Sequence, residues 1–467
     1  MASKKSDILA APAAEPCAPA ASARSPWWSV LKSNGPVPLL LLLLLPIGLF
    51  VESRTFGAYN ARVVMLVGFN VVLAVSLQLI NGFSGQFSLG HAGFMAVGAY
   101  LAAYPAINHS NRLTDPAASL LFYVALLVTV AIGGGVLYGV FVLLRLTRKF
   151  YTGLPAILVI ALLVWLFADI SHASKFDSPP AYLVWSNGIA LLSGGFAKTM
   201  AAGAPVAAKI SAWLPAMLAK PLNYLVLLIG GGCCAAIAGF VVGLPTLRLR
   251  GDYLAIATLG LSEIIRIAIQ NSQPLGGALG LTGIPKATTF AWLYGVALVT
   301  IIVIWRIAYS AKGRAIMAVR EDEIAAGAIG VDPTHHKVNA FVIGAFFGGV
   351  AGAMFALHER SITPSYFGFQ KSIELVAMVT LGGLGSISGA ILAAVVLTLL
   401  PEVLRPIAEY RMILYALLLV FMMLLRPQGL LGGRELWPRR RGPKRREPVA
   451  TEDRDDNDRA NTGVATA

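Results

Sequence analysis

Charge is what this sequence has least of: Asp, Glu, Lys and Arg make up 13% of its 467 residues, against 57% hydrophobic. Soluble domains carry about 25% charged residues, so this deficit excludes an ordinary globular enzyme or a solvated binding module. Cysteine is scarce too. Three occur, two of them adjacent at Cys233 and Cys234 inside an apolar stretch, which excludes a disulfide framework and a cysteine metal spacing; they read as small buried residues. No G-x-x-x-x-G-K-[ST] sequence is present, so the chain carries no phosphate-binding loop of that kind. His358 and Glu359 are adjacent without the second histidine of a metalloprotease helix. With no catalytic residues or metal ligands converging at one face, a polytopic membrane enzyme is disfavoured.

What is abundant is uncharged sequence in blocks. A spanning helix needs roughly 20 apolar residues, and the runs 63–80, 117–144, 150–168, 221–247, 287–305, 338–357 and 375–401 meet that length. Shorter candidates are 37–51, 92–107, 253–270 and 412–425. The expected fold is an all-α, polytopic transmembrane helical bundle of about 10–12 hydrophobic segments, some broken or re-entrant. The leucine run 39–45 is interrupted by Pro46 and lacks a small-residue cleavage site, which favours an uncleaved first helix over a signal peptide.

The net charge of +14 is not a nucleic-acid signal, because the basic residues sit in loops and a tail without interleaved aromatics. It follows the positive-inside rule. Clusters at Arg145, Arg148 and Lys149, at Arg248 and Arg250, at 312–320 and at 426–446 are all expected in the cytoplasm, together with both termini. The spans alternate correctly on one condition. The run 375–401 must return to its starting side, as two short crossings around 382–389 or as a re-entrant loop.

Residues 1–36 read as a disordered leader and 432–467 as a disordered basic then acidic tail, flanking a membrane domain over 37–431. The tail's arginines lie against anionic headgroups or form a solvated topogenic segment. Residues 172–220 are expected as an external loop, with Trp185 and Trp213 at the boundary. A weak echo links Gly82, Gly85 and Gly90 with Gly382, Gly383, Gly385 and Gly389. Broken helices that offer backbone to a polar solute are one explanation; close helix packing is the plainer one. Gly85, Gln86, Ser88, His91, Thr380 and Ser386 are candidates for a translocation path, as are Asn70, Gln78 and Asn81, with helix-to-helix hydrogen bonding the favoured alternative for each. Glu263 and Arg266, one turn apart, are expected to neutralise one another; Glu374 reads as an interface marker.

The segment 311–336 is expected as a cytoplasmic coupling loop. A short helix is readable, with Glu321, Asp322 and Glu323 at its N-terminus, where the dipole favours acids. Ala325, Ala326 and Ala328 form a small-residue face free of bulky apolar groups, Gly330 takes a left-handed cap, and Pro333 bars continuation. Such a helix is shaped to dock in a partner's groove, where a solvated loop helix is the bland alternative. The glycine-rich loop 271–285 is placed outside.

Three passages carry a family resemblance: Gly82-Phe-Ser-Gly-Gln-Phe-Ser-Leu-Gly-His-Ala-Gly-Phe-Met-Ala-Val-Gly-Ala-Tyr100, Leu247-Arg-Leu-Arg-Gly-Asp-Tyr-Leu-Ala-Ile-Ala-Thr-Leu-Gly260, and Gly313-Arg-Ala through Gly330. The chain resembles the branched-chain amino acid ABC permease family, LivM type, from about residue 37 to 433. That resemblance implies an importer subunit in the bacterial inner membrane. Its implied partners are a second homologous permease, two ATP-binding subunits that hold the ATP and magnesium, and a periplasmic solute-binding protein, in contact with the lipid bilayer. This chain itself would bind no cofactor, metal or nucleic acid. In such importers a loop of the form E-A-A-x-x-x-G touches the ATPase subunit; Ala325, Ala326 and Gly330 match it, with Ile324 at the glutamate position and Glu323 one place early. The coupling residues so implied are Gly313, Arg314, Ala315, Ala318, Arg320, Glu321, Asp322, Glu323, Ala325, Ala326 and Gly330. A urea or short-chain amide permease of the same family and an ion-coupled secondary transporter are the alternatives.

Overall fold

The structure, a computed structural model, describes residues 57–108, 116–127, 216–246, 249, 251–405 and scattered positions from 410 to 435. The expected leader, the segments 37–51 and 150–168, most of the external loop and the tail beyond 435 lie outside the described residues.

The described chain is helical, as its composition predicts. Helix α1 (Ala58–Leu77) runs into a π-helical turn (Gln78–Phe83). Then come α2 (His91–Asn108), α3 (Pro116–Leu127), α4 (Ala216–Thr246), α5 (Asp252–Asn271) and α6 (Phe290–Ala308). Two short helices, α7 (Ala311–Glu321) and α8 (Glu323–Ala328), lead to α9 (Pro333–Glu359), α10 (Phe369–Gly382) and α11 (Ile387–Val403). Among the described residues the strands are β1 (Leu281–Thr282) and β2 (Ser361–Ile362), which pair antiparallel. Five helical stretches there are long and apolar enough to cross a membrane.

One boundary differs from the sequence reading. Helix α4 begins at Ala216, so Ala216 to Lys220 belong to it rather than to the preceding loop, and the helix continues through Pro221. The described positions within 412–425 are helical and exposed. The run 375–401 is two helices, the broken form that the charge alternation requires. Gly383 (φ 103°) and Gly385 (φ 90°) sit in a region that residues with a Cβ rarely enter, and the Ser386 hydroxyl then caps α11 by accepting from the Gly389 N–H at 3.1 Å.

Helix α9 is the centre of the bundle and packs on α1, α2 and α4. Its approach to them is made through glycine. A Cβ on Gly98 of α2 would land on the Gly349 carbonyl of α9, and one on Gly352 would strike the Met95 carbonyl of α2. A Cβ on Gly231 of α4 would lie 2.9 Å from the Gly98 oxygen. Three helix backbones therefore nearly touch. In lipid, where apolar burial gives little preference for helix over tail, such small-residue contact is what holds helices together. Tyr123 of α3 locks onto the same group, its hydroxyl donating to the Leu101 and Leu227 carbonyls at 3.1 and 3.2 Å.

The chain reverses at two ends. At one, Leu281 pairs with Ile362 and Thr282 with Ser361, joining two loops that the charge pattern places on the same side. At the other, α7 packs against the π-helical turn. Overpacking a close-packed contact costs about 1–3 kcal/mol. Gly98→Ala is therefore expected to lower the thermal midpoint of the detergent-solubilised protein, whereas Gly295→Ala, with nothing within 4 Å of its added methyl, leaves it unchanged.

Candidate functional site

The glycine segments that echo in sequence meet in space. After the π-helical turn the chain leaves helix through residues 84–90, and that stretch is held by side chains. Asn81 brackets Ser88, accepting from its N–H at 3.2 Å and donating to its carbonyl at 3.4 Å. The Leu89 N–H donates to Thr258 Oγ1 of α5 at 3.1 Å. Gln78 Nε2 donates to the carbonyls of Gly383 and Ser386, at 2.9 and 3.2 Å. A Cβ on Gly82 would lie 2.7 Å from the Gly385 nitrogen. Irregular backbone at membrane depth persists only where protein or a cavity satisfies it, and these contacts supply that satisfaction.

The path candidates separate within this frame. Gly85 is exposed; Gln86 is buried, and neither its amide nitrogen nor its oxygen has a partner. Ser88 is held through its backbone. His91 Nε2 lies 2.8 Å from Ser76 Oγ. Thr380 donates back to the Val376 and Ala377 carbonyls of its own helix, and Ser386 is a helix cap. Asn70 and Gln78 tie helices together, the alternative reading of those residues, while Asn81 braces its own loop. Glu263 and Arg266 pair at 2.7 Å, as their spacing predicts, and Arg266 Nη1 also donates to Gln270 at 3.2 Å.

Arg320 joins the two breaks. From the last turn of α7 its Nη1 donates to the Gly82 carbonyl at 2.6 Å. A Cβ on Gly85 would lie 2.8 Å from its Cγ, and one on Gly385 would lie 3.0 Å from its Nη1. The C-terminal segment closes on the same place: the Leu430 N–H donates to the Leu381 carbonyl at 2.7 Å. Glu435, past the expected domain boundary at 431, accepts from the Ile387 N–H at 2.7 Å and from the Ser388 hydroxyl at 2.8 Å. A carboxylate there suits the N-terminus of α11.

The loop between α6 and α9 differs from the single helix read in sequence. It is two helices. Gly313 is buried in the first turn of α7, where a Cβ would meet the Ile307 and Ala308 carbonyls; Arg314 is exposed there, and Ala315 and Ala318 are half-buried. Glu321 closes α7 instead of opening the next helix; Asp322 caps α8, accepting from the Ile324 and Ala325 N–H groups. Glu323 pairs with Lys337 at 2.8 Å. The short helix ends at Ala328, and Pro333 begins α9, where its missing N–H is no loss in a first turn. Gly330 has φ 86°, as expected. The small-residue face is corrected at one member: Ala325 and Ala328 are exposed, but Ala326 is 3% exposed and turned into the protein, while Ile324 and Ile329 are 77% and 76% exposed. Bulky apolar groups are therefore present on this loop, because the Asp322 cap sets a register that buries Ala326 and turns both isoleucines outward.

At the opposite end lies a feature that sequence reasoning missed. A cavity of about 270 Å³ opens between α1, α2, α9 and α10. Its polar lining is Arg62, Asn70, Glu359, Lys371 and Glu374; its apolar lining includes Leu66, Phe69, Met95 and Phe355, with Tyr366. Arg62 Nη2 meets Glu359 Oε2 at 3.0 Å, and Lys371 Nζ meets Glu374 Oε2 at 3.1 Å and Asn70 Oδ1 at 3.0 Å. Glu374 is thus a cavity residue rather than an interface marker. The available signal was the Lys371 and Glu374 pair one turn apart beside an apolar run. No cluster of metal-ligating residues occurs among the described residues.

A family model described as "Branched-chain amino acid transport system / permease component" matches residues 181–425. The high-affinity branched-chain amino acid transport system permease protein LivM of Salmonella typhimurium is 41% identical over 235 residues, covering 43% of this chain and 55% of that protein. The probable branched-chain amino acid transport permease protein LivM of Methanocaldococcus jannaschii is 31% identical over 199 residues, 39% of this chain and 57% of that one. The permease protein LivH of Escherichia coli, from a high-affinity system of the same description, is 33% identical over 132 residues, 28% of this chain and 42% of that protein. The chain spans just over half the length of the LivM proteins it matches. No solved structure matches.

Arg320→Ala removes a hydrogen bond from a charged donor, a class worth about 1.5–3 kcal/mol. Amide hydrogen exchange across 82–90 is expected to accelerate about ten-fold or more, with the amides of 98–102 unchanged.

Proposed function

This chain belongs to the branched-chain amino acid transport permease family, and on that premise we propose that it is the membrane-spanning subunit of an ATP-binding-cassette importer. It carries branched-chain amino acids across a bacterial inner membrane, with both termini and the α7–α8 loop in the cytoplasm. ATP is hydrolysed on two partner chains, a second homologous permease completes the pathway, and a periplasmic binding protein delivers the solute. Support for a permease pair comes from the likeness of this one chain to both LivM and LivH proteins.

The observation that carries the reading is the Arg320 bond to Gly82. A helix pair on one face of the bundle is tied by a single side chain to the place where two membrane segments break. Movement imposed on α7 and α8 is transmitted to residues 82–90 and 383–386 without passing through lipid. The exposed Ile324 and Ile329 give a partner an apolar grip beside that lever.

The test is uptake into proteoliposomes holding the complete assembly. Leucine accumulation is expected to require internal ATP and to survive collapse of proton and sodium gradients. ATP-independent uptake, or transport of urea in place of leucine, would remove the proposal. The double variant Ile324→Asp, Ile329→Asp is expected to reach the membrane and retain the partner permease. It is expected to lose co-purification of the ATPase subunits and at least ten-fold of ATP-driven uptake.

A further inference from the structure

We propose that the cavity between α1, α2, α9 and α10 is a binding site, within this one subunit, for an amino acid zwitterion with an apolar side chain. Lys371 takes the carboxylate, and Glu374 with Glu359 takes the ammonium. The identity of the solute rests on the transport reading above; the chemistry of the site rests on its own walls.

Those walls carry two cations, Arg62 and Lys371, and two anions, Glu359 and Glu374. Equal numbers of each sign do not favour a simple anion or cation. They favour a neutral molecule whose charges are separated. Lys371 has three donors and places two, on Asn70 and Glu374. Each glutamate uses one carboxylate oxygen in its ion pair, so each keeps an oxygen for a ligand ammonium. The remaining wall of Leu66, Phe69, Met95 and Phe355 is aliphatic and aromatic, which suits a branched hydrocarbon side chain. A volume of about 270 Å³ falls just below the roughly 300–1,000 Å³ of sites for drug-sized ligands, as a small solute requires.

Depth points the same way. Asn70 stands about 18 Å along α1 from its start, at 1.5 Å per residue, and α10 begins only at that level, where Lys371 of its first turn reaches Asn70. Ionisable groups that far into an apolar bundle are costly and face a cavity or a partner. Here the Lys371 side chain is 21% exposed and that of its partner Glu374 36%, while Glu359, 14% exposed, pairs nearer the mouth with Arg62, at 60%. An incoming zwitterion adds to the two existing ion pairs, through the unused donor of Lys371 and the second oxygens of Glu359 and Glu374, so Arg62 and Lys371 keep their partners.

The experiment is scintillation-proximity binding of radiolabelled L-leucine to the full-length chain in nanodiscs, without binding protein or ATP. Leucine is expected to bind and to be displaced by unlabelled leucine. 4-Methylpentanoate, which lacks the ammonium, and 3-methylbutylamine, which lacks the carboxylate, are expected to compete about ten-fold or more less well. Lys371→Met and Glu374→Gln should each weaken leucine binding about ten-fold, and Leu66→Trp, which fills the cavity without touching a charge, should do the same. Unaltered elution on size exclusion shows that the variants are folded. Absence of leucine binding, equal competition by either analogue, or full binding by all three folded variants overturns the site. ATP-driven uptake by the complete assembly separates this from the transport proposal. Normal uptake by all variants sinks the site alone; no uptake by the wild type, with binding lost in the variants, sinks the transport reading alone.

Discussion

The contact on which everything else rests is the near-touching of three backbones at Gly98, Gly231 and Gly349. Lipid offers helices no hydrophobic reason to leave it, so α2, α4 and α9 are held by dispersion and by the absence of side chains between them. Because that contact is tight, α9 is a rigid post. Helix α1 and its π-helical continuation are set against it through Gly344, where a Cβ would press on Ile80 of the π-helical turn and lie 3.1 Å from the Ser76 oxygen of α1, and α1 in turn carries α11 through Asn70 and Thr398 at 2.8 Å.

Around this post the bundle is deliberately irregular at one end. The π-helical turn, the stretch 84–90 and the turn 383–386 are all non-α backbone inside a membrane domain, and each is satisfied by a polar side chain from a neighbour: Asn81, Thr258, Gln78 and Arg320. Of these, Arg320 alone comes from outside the spanning helices. The rigid centre, the broken helices and the Arg320 tie between α7 and the break are the three features on which the coupling proposal rests. The cavity at the far end is built on the same post, since Phe355 and Glu359 belong to α9, so the two ends share one mechanical element.

Much of this was legible beforehand. Runs of uncharged residues located α1, α4, α6 and α9 to within a few positions, and the charge alternation required the break between α10 and α11 before its glycines could be seen in left-handed conformation. The loop after Arg320 was legible as helical but not in its register. Ala326 and Ile324 differ in which way they face only because Asp322, rather than Glu321, caps α8, a choice between neighbouring acids that a sequence pattern cannot make. The Glu263 and Arg266 pair was readable because both partners lie on one helix. Arg62 and Glu359 were not, being almost three hundred positions apart.

Local chemistry explains the division. Hydropathy, the positive-inside bias and the left-handed glycine at 330 depend on residues within a few positions of each other, so the sequence by itself determined a multi-pass helical membrane protein and where its apolar helices lie. Which polar groups meet across helices depends on how four or five helices rotate about the glycine contact. Only the tertiary structure could decide that Arg320 reaches Gly82, or that Lys371 and Glu359 line one cavity, because helix rotation is set by the sum of many small packing contacts rather than by any motif.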